Sequence, residues 1–139
     1  MNADLSDPSV GMDAETGRWI TGWDHVVQSL NDIFLTRFGA RIMREWYGSF
    51  VPEALGRNIN RQELVPVIAS ITSAIEQWEP RFVVDRVHFP EASRSGRMEI
   101  VIEGRYRPRA LLGDLSGELA RRVAFIAQGD RVFAQQVTA

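Results

Sequence analysis

Cysteine and lysine are both missing from the 139 residues, and each absence closes off part of the functional map. Without cysteine there are no disulfides, no thiolate metal ligands and no thiol nucleophile. The two histidines, His25 and His88, lie far apart, which leaves no conventional zinc motif. No cofactor or metal is expected. No apolar run reaches the roughly 20 residues that cross a bilayer, and the N-terminal stretch MNADLSDPSVGMDAETG is acidic and polar, unlike a secretory or transit leader. Nor is there a block of charge of either sign, the formal net charge being -2. Nucleic-acid binders carry a basic face. The chain is therefore expected to have neither a membrane nor a nucleic acid as partner. All 16 basic residues are arginine, as a GC-rich genome would produce; the guanidinium forms planar, bidentate pairs with carboxylates and suits interfaces better than lysine does.

What is present fits one core. Residues 1–18, with Pro8, Gly11 and Gly17, read as an N-terminal arm. Residues 19–128 read as a single domain and 129–139 as a C-terminal tail. A first helix is predicted over Asp24–Arg37, with Asp24 as N-cap, a stripe of Val26, Val27, Leu30, Ile33, Phe34 and Phe38, and Gly39 as a left-handed stop. Ala40 to Asn58 has no clean period and predicts a structured loop, with a helical turn near Pro52–Leu55. A second helix is predicted over Arg61–Trp78, opened by an Asn60–Glu63 capping box and ended by Pro80. Pro66 implies either a kinked first turn or a start at Pro66 itself.

Arg81–Phe89 and Arg97–Arg107 read as strands joined by the turn-rich 91–96. In the second, Met98, Ile100, Ile102 and Tyr106 face inward, while Glu99, Val101, Glu103, Arg105 and Arg107 face mostly outward. Pro108–Glu118 reads as a loop. Arg121–Ala127 fits a third strand or the end of a short helix, and its β-branched and aromatic content favours the strand. A short strand at Arg131–Phe133 fits the tail. The expected fold class is α+β: two N-terminal helices followed by a small antiparallel sheet made of a hairpin plus a third strand.

The run Gly39-Ala40-Arg41-Ile42-Met43-Arg44, then Tyr47-Gly48-Ser49, then Trp78-Glu79-Pro80-Arg81 resembles the gene-25-like baseplate wedge family. That family includes protein W of temperate contractile-tailed phages and a baseplate component of type VI secretion systems. The resemblance covers roughly residues 19–107. It implies a handshake-like sheet and a structural role in the virion tail baseplate, assembled in the host cytoplasm and repeated around a sixfold axis. It also implies docking on the core bundle of other wedge proteins, with tube and hub proteins nearby, and sheath initiation by strand exchange with the first ring of tail sheath protein.

The partner-binding residues expected on this reading are Glu79, Pro80 and Arg81 at a stiff charged corner, Trp78, Arg44, Trp46 and Tyr47 as anchors, and Arg105 and Arg107 beside the hairpin edge. Each has a plainer alternative: Glu79 and Arg81 pairing inside the chain, the aromatics packing the core, the arginines keeping the edge soluble. Two rival functions stand beside this one. An anti-adapter of bacterial stress control resembles the family, which makes a regulatory binding module the first rival. A peptidoglycan-cleaving lysozyme is the second. Glu76 and Glu79 lie three apart, as a carboxylate pair needs, but an arginine beside a carboxylate favours its charged form, the opposite of what a general acid requires. No catalytic residue is assigned and no enzyme activity is expected.

Overall fold

A computed structural model describes residues 9–51, 61–90, 97–128 and 131–136. Regular structure begins with strands. Gly11–Met12 (β1) pairs antiparallel with Trp19–Ile20 (β2). The turn between them is shaped by Asp13, whose Oδ1 accepts bonds from the backbone N–H groups of Glu15 and Thr16, both at 2.8 Å. Those bonds hold the Asp13 carboxyl below the usual carboxylate range. Helix α1 (Gly22–Leu35) and helix α2 (Arg61–Trp78) follow, then β3 (Phe82–His88), β4 (Arg97–Tyr106), a single 3-10 turn at Ala110–Leu112, β5 (Leu119–Gln128) and β6 (Arg131–Gln136).

The last four strands form one antiparallel sheet in the order β3-β4-β5-β6. This overturns the expectation of two N-terminal helices followed by a handshake-like hairpin plus third strand. A two-stranded sheet precedes α1, and the main sheet is a sequential four-stranded meander. Strands of two residues show no alternation to read, which is why β1 and β2 escape the pattern. The β4–β5 pairing is the longest in the sheet and runs in register from Arg97↔Gln128 to Tyr106↔Leu119.

Both helices lay an apolar stripe on one face of this sheet, α1 towards β6 and α2 towards β3. Val26, Leu30, Ile33 and Phe34 of α1 meet Ile71 and Ile75 of α2 over Ile100, Ile102, Val123 and Phe125. Phe34 meets Phe125 edge-on at 4.6 Å, and Trp23 packs against Phe82 at 5.3 Å and Tyr106 at 5.5 Å. Helix α1 starts two residues before the predicted N-cap: Thr21 occupies that position without a side-chain cap, and Asp24 sits in the first turn, where its charge favours the helix dipole. It ends at Leu35, short of Arg37, so Phe38 lies beyond it. Gly39 is left-handed, but within the following loop. Pro66 lies inside α2, which runs unbroken from Arg61. The Pro52–Leu55 turn, the capping-box residue Asn60 and the connection 91–96 lie outside the described residues.

The outer face of β4 is drier than alternation predicts. Val101 and its cross-strand partner Ala124 are buried there, flanked by a row in which Glu103 lies 3.5 Å from both His88 and Arg122. Long charged side chains cover apolar surface with their stems while their heads stay wet. On the inner face Gly104 is required by packing, because a Cβ there would strike the Val83 carbonyl oxygen and approach the Phe82 ring to 2.7 Å. Gly104→Ala is expected to lower the unfolding free energy by about 1–3 kcal/mol, the usual cost of overpacking. Urea denaturation checks this, and an unchanged midpoint would refute the tight fit.

Candidate functional site

The corner after α2 is built from chain stiffness and one ion pair. Pro80 fixes its own φ and excludes Glu79 from continuing the helix. The chain turns there, with the Phe82 N–H donating to the Glu79 carbonyl at 3.2 Å. Across that turn the Arg81 guanidinium grips the Glu79 carboxylate with both prongs, Nε to Oε1 and a terminal nitrogen to Oε2, each at 2.7 Å. Glu79 is 2% and Arg81 4% exposed, whereas Pro80 between them faces solvent. The Arg107 N–H donates to the Arg81 carbonyl at 2.7 Å, so the corner also seats the chain leaving β4.

His25 joins this corner to the N-terminal hairpin. Its Nδ1 lies 2.7 Å from the Ser9 carbonyl oxygen and 3.2 Å from a terminal nitrogen of Arg81. A carbonyl only accepts, so Nδ1 carries the hydrogen. Gly11 lies flat on the imidazole: a Cβ there would be 2.5 Å from Nε2. The Gln28 amide adds two bonds to the same hairpin, one to the Met12 carbonyl and one from the Ala14 N–H, both at 2.9 Å.

Residues 36–51 form a second constellation. The Ser49 N–H donates to the Thr36 carbonyl at 3.0 Å, and Gly48, at φ 126°, has no room for a side chain against that carbonyl. Asp32 clamps the segment to α1. Its carboxylate accepts two bonds from Arg41, at 2.9 and 2.7 Å, and one from the Tyr47 hydroxyl at 2.5 Å. Arg41 also lies over the Tyr47 ring, 4.4 Å from its centroid, and that ring packs edge-on against Trp78 at 5.0 Å. Burial, then the bond to Asp32, pushes the Tyr47 hydroxyl pKa well above its ordinary value. Beyond the clamp, Ile42 is 92%, Met43 88% and Trp46 63% exposed, and Phe38 meets Phe50 at 4.7 Å.

The nine expected residues thus separate. Glu79 and Arg81 are buried and bonded to each other. Tyr47 is buried and Trp78 half-buried, packed together, while Arg44 and Trp46 are exposed beside them. Arg105 and Arg107 belong to a different network: Arg105 bonds Asp85 through Nε at 3.1 Å and Glu118 at 3.0 Å, and Arg107 bonds Glu118 at 2.8 and 2.5 Å. Arg107 first, then Arg105, holds the Glu118 carboxyl below its usual range. Sequence reasoning missed Asp32 and Arg41, which order the 36–51 segment, and Ile42 and Met43, which it displays. Their signal was a run of apolar residues inside a stretch otherwise punctuated as turns.

The family model for baseplate wedge protein gp25 matches residues 21–110. Baseplate protein W of Escherichia phage P2 is 29% identical over 97 residues, covering 70% of this chain and 84% of that protein. Among solved structures, a chain of the postcontracted pyocin R2 baseplate superposes with a TM-score of 0.62 at 28% identity, covering 70% of this chain and 98% of that one. A protein of Geobacter sulfurreducens described as a candidate tail lysozyme gives 0.56 at 22% identity, covering 84% of this chain and 91% of that one, a likeness of fold alone.

Removing one partner of a buried pair leaves the other charged and unsolvated, so Arg81→Ala is expected to cost about 3–5 kcal/mol of stability in denaturant titration. A loss under about 1 kcal/mol, the worth of a surface pair, would contradict the lock. Tyr47 supplies a second check. Its folded pKa lies above the unfolded value, so its contribution is complete below about pH 10 and lost as pH climbs through the raised value. Absorbance titration at alkaline pH should show Tyr47 ionising above the ordinary tyrosine range, and Asp32→Asn should bring its transition to lower pH. An Asp32→Asn titration that superposes on wild type would count against the clamp.

Proposed function

The chain belongs to the baseplate wedge protein gp25 family, a component of the contractile-tail baseplate, and from that premise we propose that it docks on neighbouring wedge proteins and starts the sheath by offering the first sheath proteins a sheet edge to extend. It sits on the core bundle of the wedge, repeated around the sixfold axis, and the first ring of sheath protein adds a strand to it. The observation that carries this reading is the contrast between the two edges of the main sheet.

Strand β6 pairs with β5 over Val123↔Gln136 to Gln128↔Arg131 without a register shift, and no strand pairs with its other side among the described residues. An edge of that kind presents unpaired N–H and C=O groups in a regular row, which is what an incoming strand needs. The opposite edge is spoiled. The register of β3 shifts between Val84 and Arg86, leaving Asp85 bulged out and bonded to Arg105. Bulges and charges are the usual devices for keeping an edge unpaired. The growing sheath therefore meets β6, and Arg105 and Arg107 keep β3 and its neighbours closed.

The exposed residues Arg44 and Trp46 supply docking contacts, together with Pro80 at the outside of the corner. Glu79, Arg81, Trp78 and Tyr47 act on docking through the shape they hold. A glycosidase reading finds no support in the carboxylates: both oxygens of Glu79 are taken by Arg81 and the side chain is buried, while Glu76 faces solvent. A proton donor must reach the bond it protonates. The role is structural rather than enzymatic.

Successive N–H groups of a strand point to opposite sides, so within β6 one of Val132→Pro and Phe133→Pro removes a bond to β5 and the other removes only an outward donor. The outward variant should fold normally, judged by circular dichroism, and give baseplates and tubes without sheath in electron micrographs. Sheathed tails of normal length from both variants would defeat the proposal.

A further inference from the structure

Within residues 36–51, local sequence and position are in conflict. The Arg44 N–H donates to the Arg41 carbonyl at 3.1 Å and the Tyr47 N–H to the Arg44 carbonyl at 3.0 Å, making two successive β-turns. The central residues of a turn stand furthest out, and Gly, Pro, Asn, Asp and Ser are the types normally found there. Here they are Ile42 and Met43 in the first turn and Glu45 and Trp46 in the second. Nothing about the segment is loose, since Tyr47, Ser49 and Val51 are buried and Asp32 clamps two of its side chains. Ordering a turn so that it holds three large apolar groups in water gains nothing for the fold itself. Departures from local rules of this kind mark functional sites.

We infer that the double turn is a knob that inserts into an apolar cleft on a different baseplate protein. The inference rests on the docking reading and names its contact point. Arg44 and Glu45, one charge of each sign, stand among the apolar tips, and neither is in an ion pair among the described residues. They call for the opposite pair on the rim of the cleft, the usual arrangement of an apolar centre within a polar border.

A second copy of this chain does not fit. The knob is convex, and two such tips meeting bury far less than the roughly 1,200–2,000 Å² of a stable interface. Among the described residues, a groove of about 430 Å³ on this chain's own sheet is lined by Asp85, Arg86, Glu103, Arg121 and Arg122 beside Gly104 and Ala120, and five charged side chains do not match an apolar tip. The occupant is concave, apolar at its floor and foreign.

The test uses whole tails assembled with the full-length chain carrying a photo-cross-linking phenylalanine at Met43, with exposed Leu112 as control. Position 43 should link to one other baseplate protein, identified by mass spectrometry, and position 112 should not link to that protein. A link solely to another copy of this chain, or equal links from both positions, overturns the inference. Independently, the double substitution Ile42→Ser with Met43→Ser should leave the thermal midpoint unchanged and cut incorporation into tails about tenfold or more, as loss of a central anchor does. If the double variant incorporates like wild type, the knob is refuted and the docking reading survives. If wild type itself is absent from purified tails, both fall.

Discussion

The buried pair of Glu79 and Arg81 sets the geometry of everything around it. Ion pairs taken out of water recover their desolvation cost only when the geometry is good and the remaining donors are satisfied. The geometry is good here, because the fork is bidentate with both bonds at 2.7 Å. An apolar substitute of the same volume would be about as stable, but it would not fix an angle. Two directional bonds spanning a proline do, and they hold α2 and β3 at one setting. The Arg81 carbonyl then receives the chain leaving β4, and His25 receives the N-terminal hairpin. One corner therefore aligns a helix, two strands and the arm.

How far the sequence revealed this depends on the range of the interactions. Helix α2 was legible in its apolar stripe and in its stop before Pro80, because both are local, while Pro66 left its start open. Strands β3 and β4 were legible to within a residue or two, since one face of each meets the helices. The opening β1–β2 pair was not, because each strand is two residues long and is held by His25 and Gln28 from another element. Val101 reads as an outward residue until its neighbours across the sheet are known. The stop of α1 at Leu35 was likewise hidden, as it is set by Thr36, whose hydroxyl and N–H both bond the Asp32 carbonyl.

The candidate residues divide along the same line. Glu79 and Arg81 stand out in the chain because opposite charges flank a proline, yet the sequence left open whether they meet each other or a partner. The bend at Pro80 settles it by folding the Arg81 guanidinium back onto the Glu79 carboxylate. Trp46 and Tyr47 are neighbours in the chain with opposite fates, one outside the turn and one beneath it. That split is decided by Asp32, fifteen residues before Tyr47, and no periodicity carries it.

Charge placement follows from what an assembly subunit must avoid. The outer face of the sheet offers little to an unintended partner, since Asp85, Arg105, Glu118 and Arg107 satisfy one another, as do His88, Glu103 and Arg122. Surface pairs of this kind add little stability. Their value lies in denying free charges and a regular β3 edge to neighbouring chains, which is how exposed sheets avoid uncontrolled growth. Among the described residues, the contact sites proposed for assembly are an apolar turn tip and a strand edge. The two differ in kind: the tip asks for a shaped apolar cleft, whereas the edge asks only for an extended backbone. A shaped cleft discriminates between partners and a bare edge does not, so on the proposed reading selectivity rests on the tip rather than on the edge. The clamp by Asp32 holds that tip in one shape, so the proposed docking step carries little entropy of ordering it.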